Sequence, residues 1–171
     1  MSEYPQTASP SAEVPSPSDF ISSPLRNRLV VELDAPVSEV WELMGDLSRF
    51  PEYSAGLERV EAQVDGDGRC VEYTCYFKPI EEGSEGIVTR EIMKWYEPSR
   101  GYLSVEAEPG NTVALTTLDP IPAGTRVTTD MYFDADELDM YKAALDEALA
   151  DIAENLIGCF GGRVIDRYVE T

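Results

Sequence analysis

The sequence predicts an α+β fold in which a curved, antiparallel, seven-stranded sheet wraps around one long C-terminal helix. Three observations predict this fold. One strand-like segment is followed by two short helices, six further strand-like segments follow with short connections, and the last part of the chain carries an apolar stripe at helical spacing. Short connections favour antiparallel neighbours, and a long amphipathic helix buries its stripe against a sheet.

The first 24 residues differ in composition from the rest of the chain. They are dominated by Pro, Ser, Thr and Ala and have no periodic hydrophobic pattern. Such a segment buries too little apolar surface to offset the entropy cost of ordering. We therefore expect residues 1–24 to be a disordered tail and residues 25–171 to form a single domain.

The domain opens with a strand and two short helices. Residues 28–33 predict a strand with Leu29, Val31 and Leu33 on one face. Pro36 suits the first turn of the next helix, in which Val40, Trp41 and Met44 share one face. Residues 46–53 predict a second short helix, which contains a proline.

The middle of the chain predicts six strands. Residues 57–64 and 69–78 flank Asp65-Gly66-Asp67-Gly68, a hairpin signal because glycine readily adopts positive φ. The remaining strand-like segments are residues 86–96, 101–108, 111–118 and 125–134, each bounded by Pro, Gly or Asn. This spacing predicts an antiparallel meander.

The last predicted element is a helix over residues 135–160. Asp134 and Glu137 form a plausible capping pair at its start. The apolar stripe comprises Leu138, Tyr141, Leu145, Ala148, Leu149, Ile152, Leu156 and Phe160. Gly158, Gly161 and Gly162 either end the helix or let it lie close to the sheet, and the sequence leaves both options open.

Charge and residue content exclude several function classes. The formal net charge is −20, from 13 Lys and Arg against 33 Asp and Glu, which disfavours nucleic acid and anionic membrane surfaces as partners. The chain has no histidine, and its three cysteines form no zinc-like cluster. We expect no metal and no cofactor.

Neither a signal peptide nor a membrane-spanning stretch is evident in the sequence. The N-terminus has no basic region followed by an apolar one, and no apolar run reaches about 18 residues. We expect a cytoplasmic protein without stable membrane insertion, and the oligomeric state stays open.

The ordered set of motifs resembles the START-like polyketide cyclase/dehydrase (SRPBCC, helix-grip) superfamily. Ala35-Pro36, Val40-Trp41, Leu43, Asp46 and Pro51-Glu52-Tyr53 resemble its opening, while the 65–68 hairpin and Trp95-Tyr96-Glu97-Pro98-Ser99-Arg100 match its first hairpin and its acidic-proline turn. The resemblance covers about residues 28–160. It implies a deep apolar cavity between the sheet and the long helix, which relatives use for lipids, sterols and polyketides.

Strand alternation then indicates which side chains would line that cavity. The expected ligand-binding residues on the two strands with a clear apolar face are Val71, Tyr73, Cys75 and Phe77, and Val127, Thr129, Met131 and Phe133. Leu149 and Ile152 would contribute from the helix. The Tyr73 hydroxyl could hydrogen-bond a ligand oxygen. Alternatively, Tyr73 could fill the core with its hydroxyl hydrogen-bonded to the backbone.

The strand at residues 86–96 is ambiguous. Aligning it through the Trp95 turn of the superfamily places Val88, Arg90 and Ile92 inward, and Arg90 would then anchor an oxygen-bearing or anionic head group. The opposite register places Glu91, Met93 and Trp95 inward and Arg90 on the solvent face. Both registers remain open at this point, although Arg90 and Ile92 are taken as candidate site residues.

The expected function is the binding of a small hydrophobic ligand, lipid-like or polyketide-like, between sheet and helix. The alternative is a polyketide cyclase or aromatase that uses cavity Arg and Tyr side chains. Without histidine, acid–base work would fall to Tyr73, to Arg90 or, in the opposite register, to Glu91. We assign no catalytic residue. A protein-binding module is a third class, for which no large exposed apolar patch is evident.

Overall fold

The computed structural model describes residues 13–79, 81–108, 110, 112–133 and 135–169, without the side chains of residues 135–145. The strands are β1 (Leu25–Leu33), β2 (Leu57–Val64), β3 (Cys70–Phe77), β4 (Val88–Glu97), β5 (Gly101–Glu108), β6 (Thr112–Ile121), β7 (Gly124–Phe133) and β8 (Gly162–Val169). The α-helices are α1 (Val37–Met44) and α2 (Ala135–Phe160), and short 3-10 helices span Pro17–Asp19 and Leu47–Glu52. The predicted fold class is confirmed.

All eight strands form one antiparallel sheet in the order β2-β3-β4-β5-β6-β7-β1-β8. The C-terminal half of α2 packs on one face of this sheet. Its Leu149, Ala153 and Leu156 share a core with Leu29 and Val31 of β1. We call the sheet face that carries Leu29 and Val31 the concave face, and the opposite one the convex face.

The eighth strand is absent from the prediction. Gly161, with φ of 76°, ends α2, and its N–H donates to the carbonyl of Ile157 at 2.7 Å. The chain then runs back along β1 as β8, where Arg163 forms an ion pair with Glu32. Most of β8 is exposed and lacks a buried apolar face, so its sequence carries no alternating pattern.

A second core lies at the other end of the sheet, beneath the 3-10 helix Leu47–Glu52. Asp46 caps this helix by accepting a hydrogen bond from the N–H of Ser48 at 3.1 Å. The core comprises Leu47, Leu57, Val60, Cys70, Tyr73, Cys75 and Tyr102. The helix therefore covers the concave face of β2 and β3.

The predicted hairpin between β2 and β3 forms around Asp65. Its carboxylate accepts hydrogen bonds from the N–H of Asp67 at 2.8 Å and of Arg69 at 3.1 Å. Gly68 completes the turn with φ of 80°, a conformation that other residues rarely adopt.

The segment before β1 is described from residue 13 onward. The 3-10 helix Pro17–Asp19 contacts β6, while residues 1–12 of the expected disordered tail lie outside the described residues. Of the expected capping pair, Asp134 also lies outside them, as does the side chain of Glu137. Among the described residues, neither α-helix combines the length and the apolar character that a membrane span requires.

Candidate functional site

The register of β4 is the reverse of the one chosen from the resemblance. Directly opposite residues on antiparallel neighbours point to the same face. Glu91 lies opposite Tyr73, and Thr89 lies opposite Cys75; all four are buried. The concave face of β4 therefore carries Thr89 and Glu91.

Arg90 and Ile92 consequently lie on the convex face, which corrects their expected place in the cavity. The Arg90 guanidinium lies 3.1 Å from the carboxylate of Glu72 and 3.5 Å from that of Glu108. The side chain is more than one-third exposed. A cation is more stable on this hydrated, acidic surface than on the buried face of the strand.

Strand β3 places only part of its expected set on the concave face. Tyr73 and Cys75 are buried there, whereas Val71 is 43% and Phe77 36% exposed. The pairing with β2 shifts between Gln63–Glu72 and Val64–Cys70, so Val71 has no partner and Cys70 occupies the buried position instead. The predicted inward placement of Val71 is therefore corrected, whereas Phe77 lies opposite the buried Leu57, at an exposed end of the concave row.

Strand β7 follows its predicted alternation. Val127 and Thr129 lie opposite Val31 and Leu29 of β1, on the concave face, and Met131 and Phe133 continue the same row. Val127 and Phe133 are buried, while Thr129 and Met131 are half-buried. On α2, Leu149 belongs to the packed core and Ile152 packs against it.

Polar side chains from the central strands meet on the concave face. The hydroxyls of Tyr73 and Ser104 lie 2.9 Å apart, and those of Thr116 and Thr129 lie 3.2 Å apart. Tyr102 lies opposite Thr116 across β5 and β6. We call the set Tyr73, Glu91, Tyr102, Ser104, Glu106 and Thr116 the concave polar cluster.

Two carboxyl groups of this cluster face each other. Glu91 and Glu106 are directly opposite on β4 and β5, which places their Cβ atoms about 5 Å apart. Burial and the neighbouring Glu106 raise the pKa of Glu91 to about 8. Glu106 accepts a hydrogen bond from the N–H of Gly110 at 2.9 Å. Glu91 is therefore largely protonated at neutral pH, and its side chain hydrogen-bonds with that of Glu106.

Three further titratable side chains of the concave face are also held neutral. Burial raises the pKa of Cys75 to about 12 and that of Tyr102 to about 12, and it raises the pKa of Tyr73 well above its usual value. The thiolate is the nucleophilic form of cysteine. Cys75 is thus a buried apolar side chain with little nucleophilic character.

Two buried polar side chains on this side of the sheet have no hydrogen-bond partner. Both amide atoms of Asn27, which is 0% exposed, are unpaired, and so is the hydroxyl of Tyr53, which is 1% exposed. Asn27 lies opposite Met131 on the concave face. The Tyr53 hydroxyl approaches Tyr102 of the concave polar cluster. Unpaired buried polar groups are rare in folded proteins.

A cleft opens beside the second core. It has a volume of about 380 Å³ and lies between α1, the turn that follows it, and the β2–β3 hairpin. Its lining includes Trp41, Asp46, Val64, Cys70 and Tyr96. Leu47 and Cys70 of its lining belong to the second core, so the cleft borders that core.

Sequence reasoning missed most of the polar cluster. Glu91 was considered only for the opposite register, and four members were not identified as site residues: Tyr102, Ser104, Glu106 and Thr116. A signal was present in β5, where Tyr102, Ser104 and Glu106 alternate at period two with Leu103 and Val105. Both rows contain large side chains, so the period alone does not identify the concave row.

The comparisons with known proteins concern the family and the fold. The model of the family described as polyketide cyclase/dehydrase and lipid transport matches residues 26–158. No curated protein matches the chain.

Three solved structures illustrate the structural similarity. A START superfamily protein from Mycobacterium smegmatis superposes with a TM-score of 0.64 and 14% identity, over 79% of this chain and 97% of that one. A protein from Chromobacterium violaceum superposes with a TM-score of 0.60 and 14% identity, over 78% of this chain and 96% of that one. A protein from Deinococcus radiodurans superposes with a TM-score of 0.58 and 12% identity, over 78% of this chain and 92% of that one. At these identities the likeness concerns the fold.

Proposed function

Because the chain belongs to the polyketide cyclase/dehydrase and lipid transport family, we propose that it binds a small hydrophobic molecule, lipid-like or polyketide-like, on the concave face beneath α2. The observation that carries this proposal is the partial exposure of side chains in the middle of the sheet. Ala114 of β6 and Met131 of β7 are half-buried on the concave face, although strands flank them on both sides. Fully packed central positions are normally buried.

The chemistry of the concave face supports a ligand with an apolar body and a polar group. Met93, Ala114 and Met131 lie in one row of opposite residues that includes Ser104. Methionine adapts its shape to irregular partners, and alanine and serine leave room above the sheet. Predominantly apolar walls with a few convergent polar groups are typical of small-molecule sites.

The enzymatic alternative loses its main argument. Its cavity arginine was to be Arg90, and that guanidinium is engaged by Glu72 and Glu108 on the convex face. The observed register instead turns Glu91, the other acid–base candidate, inward, where it pairs with Glu106. Tyr73 remains on the concave face, with a pKa raised well above its usual value by burial. We therefore propose a binding protein in preference to a cyclase.

Filling the space above Ala114 tests the proposed function. Ala114→Phe places a large side chain between Ser104 and Met131, where a ligand would lie. We expect its affinity for the apolar fluorophore N-phenyl-1-naphthylamine to fall at least tenfold, while the thermal midpoint of unfolding holds or rises because free space is filled. The matched control is Ala107→Phe at an exposed position of β5, which should bind like the original chain.

Two outcomes would overturn the proposed function. If neither the original chain nor the control binds the fluorophore, the concave face takes no hydrophobic ligand. If Ala114→Phe lowers stability by the ~1–3 kcal/mol typical of an overpacked core, the position is already filled.

A further inference from the structure

The side chains of the concave polar cluster specify the kind of polar group that a ligand must carry. We propose that the ligand carries a neutral oxygen, a carbonyl or a hydroxyl group, and that Glu91 binds this oxygen together with the Tyr73–Ser104 pair. This inference rests on the proposed function and names the chemical class of the ligand. It replaces the anionic head group expected from Arg90.

The first argument is the charge around Glu91. The polar neighbours that act on its pKa are Glu106 and Thr89, and no cation is among them in the described part of the chain. An anionic head group would place a further negative charge beside two carboxyl groups, with low-dielectric surroundings to strengthen the repulsion. A carboxylate ligand is therefore disfavoured at this position.

The second argument is the supply of hydrogen-bond donors and acceptors. At neutral pH the buried Glu91 carboxyl retains its proton in a hydrogen bond with Glu106, which leaves its second oxygen as an acceptor for a ligand hydroxyl. One of the Tyr73 and Ser104 hydroxyls donates a hydrogen bond to the other at 2.9 Å. The accepting hydroxyl can then donate its own proton to a ligand oxygen. A carbonyl or hydroxyl oxygen accepts from such groups without bringing a charge into the core.

The third argument is independent of the carboxyl groups. Asn27 and Tyr53 each hold an unpaired polar group that is at least 99% buried, on or against the same face. A buried polar group left without a partner destabilises the fold, so a ligand atom that pairs with it is favoured. Both are neutral, but Asn27 lies on β1, four strands from Glu91, and does not contact the same oxygen. Tyr53 approaches Tyr102 of the concave polar cluster, and its uncharged hydroxyl suits a neutral oxygen better than an ion.

A cationic ligand is the competing possibility, because two carboxyl groups could hold an amine. Binding an amine would require Glu91 to lose its proton and both ions to be desolvated in the core. That desolvation cost often exceeds the attraction within a buried ion pair. The neutral ligand avoids it.

A series of octyl compounds tests the inference. 1-Octanol, octanoate, octylamine and octane share one apolar chain and differ in the head group. Each competes with N-phenyl-1-naphthylamine for the protein at pH 7. We expect 1-octanol to bind at least tenfold more tightly than octanoate and octylamine, a difference of about 1.4 kcal/mol, and more tightly than octane.

Variants of Glu91 assign the preference to this side chain. Glu91→Gln keeps a neutral donor and acceptor, so it should retain 1-octanol affinity within about threefold. Glu91→Leu removes both, so 1-octanol should bind about tenfold more weakly while octane is unaffected. Glu72→Leu makes the same change on the convex face of β3 and should alter neither affinity.

The outcomes separate this inference from the proposed function. If all four compounds bind equally, or if octanoate or octylamine binds best, the neutral-oxygen preference is wrong and the proposed function stands. If Glu91→Leu keeps the full preference for 1-octanol, Glu91 is not the binding group. Failure of all four compounds to displace the fluorophore would overturn the proposed function itself.

Discussion

Glu91 is a buried carboxyl group in a chain whose other acidic residues are mostly exposed. It is buried among Tyr73, Cys75, Thr89 and Glu106, and its pKa is raised from 4.5 to about 8. The raised pKa means that the folded chain holds a proton which the unfolded chain releases above pH 4.5. Folding is therefore coupled to the protonation of this carboxyl.

The pH dependence of stability should report this proton. Because the folded state binds more protons than the unfolded state, the free energy of unfolding falls as pH rises from about 4.5 to about 8 and levels off above that. The fall should amount to a few kcal/mol. Urea unfolding at intervals across this range measures it, and the absence of histidine leaves few other groups that titrate there.

Glu91→Gln supplies the decisive comparison for this prediction. The variant cannot ionise at this position, so its stability should change much less between pH 5 and pH 8 and should exceed that of the original chain at pH 8. Glu58→Gln removes one carboxyl from an exposed position of β2 and should keep the original dependence. Parallel curves for all three chains would show that Glu91 titrates as an exposed carboxyl does.

At the scale of elements, the turn from α2 into β8 depends on a glycine. At Gly162 an added Cβ would lie 2.0 Å from the backbone carbonyl of Glu32, and φ is 137°. Gly162→Ala should therefore lower stability by ~2 kcal/mol or more, since backbone of both strands must move.

Gly158 provides the matched control within the same segment. It lies in α2 with nothing within 4 Å of an added Cβ, so Gly158→Ala should raise stability by ~0.5–1 kcal/mol, as helix propensity predicts. Thermal unfolding of the two variants measures both effects. Equal effects would mean that β8 does not pack against β1 as described.

The elements differ in how far the sequence predicts them. In β7 the alternation of Val127, Thr129 and Met131 with polar residues identifies the concave face unambiguously. In β4 both rows contain apolar side chains, Ile92 on one and Met93 on the other, so the register depends on long-range pairing with β3. In β8 exposure removes the pattern altogether, and only the contact with β1 defines the strand.

On the scale of the whole molecule, the charge distribution separates two kinds of carboxyl group. Most of the 33 acidic residues are exposed to solvent. Some of the others form ion pairs on the convex face, as Glu72 does with Arg90. Glu91 and Glu106 instead face each other on the concave side. Composition predicts the acidic surface, but the inward pair depends on the register of three strands.

The central claim is that an uncharged, hydrophobic molecule binds on the concave face, and the methionine methyl groups test it most directly. Met93 and Met131 lie in the proposed binding row. Met44 is the last residue of α1, and its side chain is buried in the core between α1 and the sheet. With 13C-labelled methionine methyls, a titration with 1-octanol should shift the Met93 and Met131 resonances in a saturable way and leave Met44 in place. Unchanged Met93 and Met131 signals at saturating 1-octanol, or shifts confined to Met44, would contradict the claim.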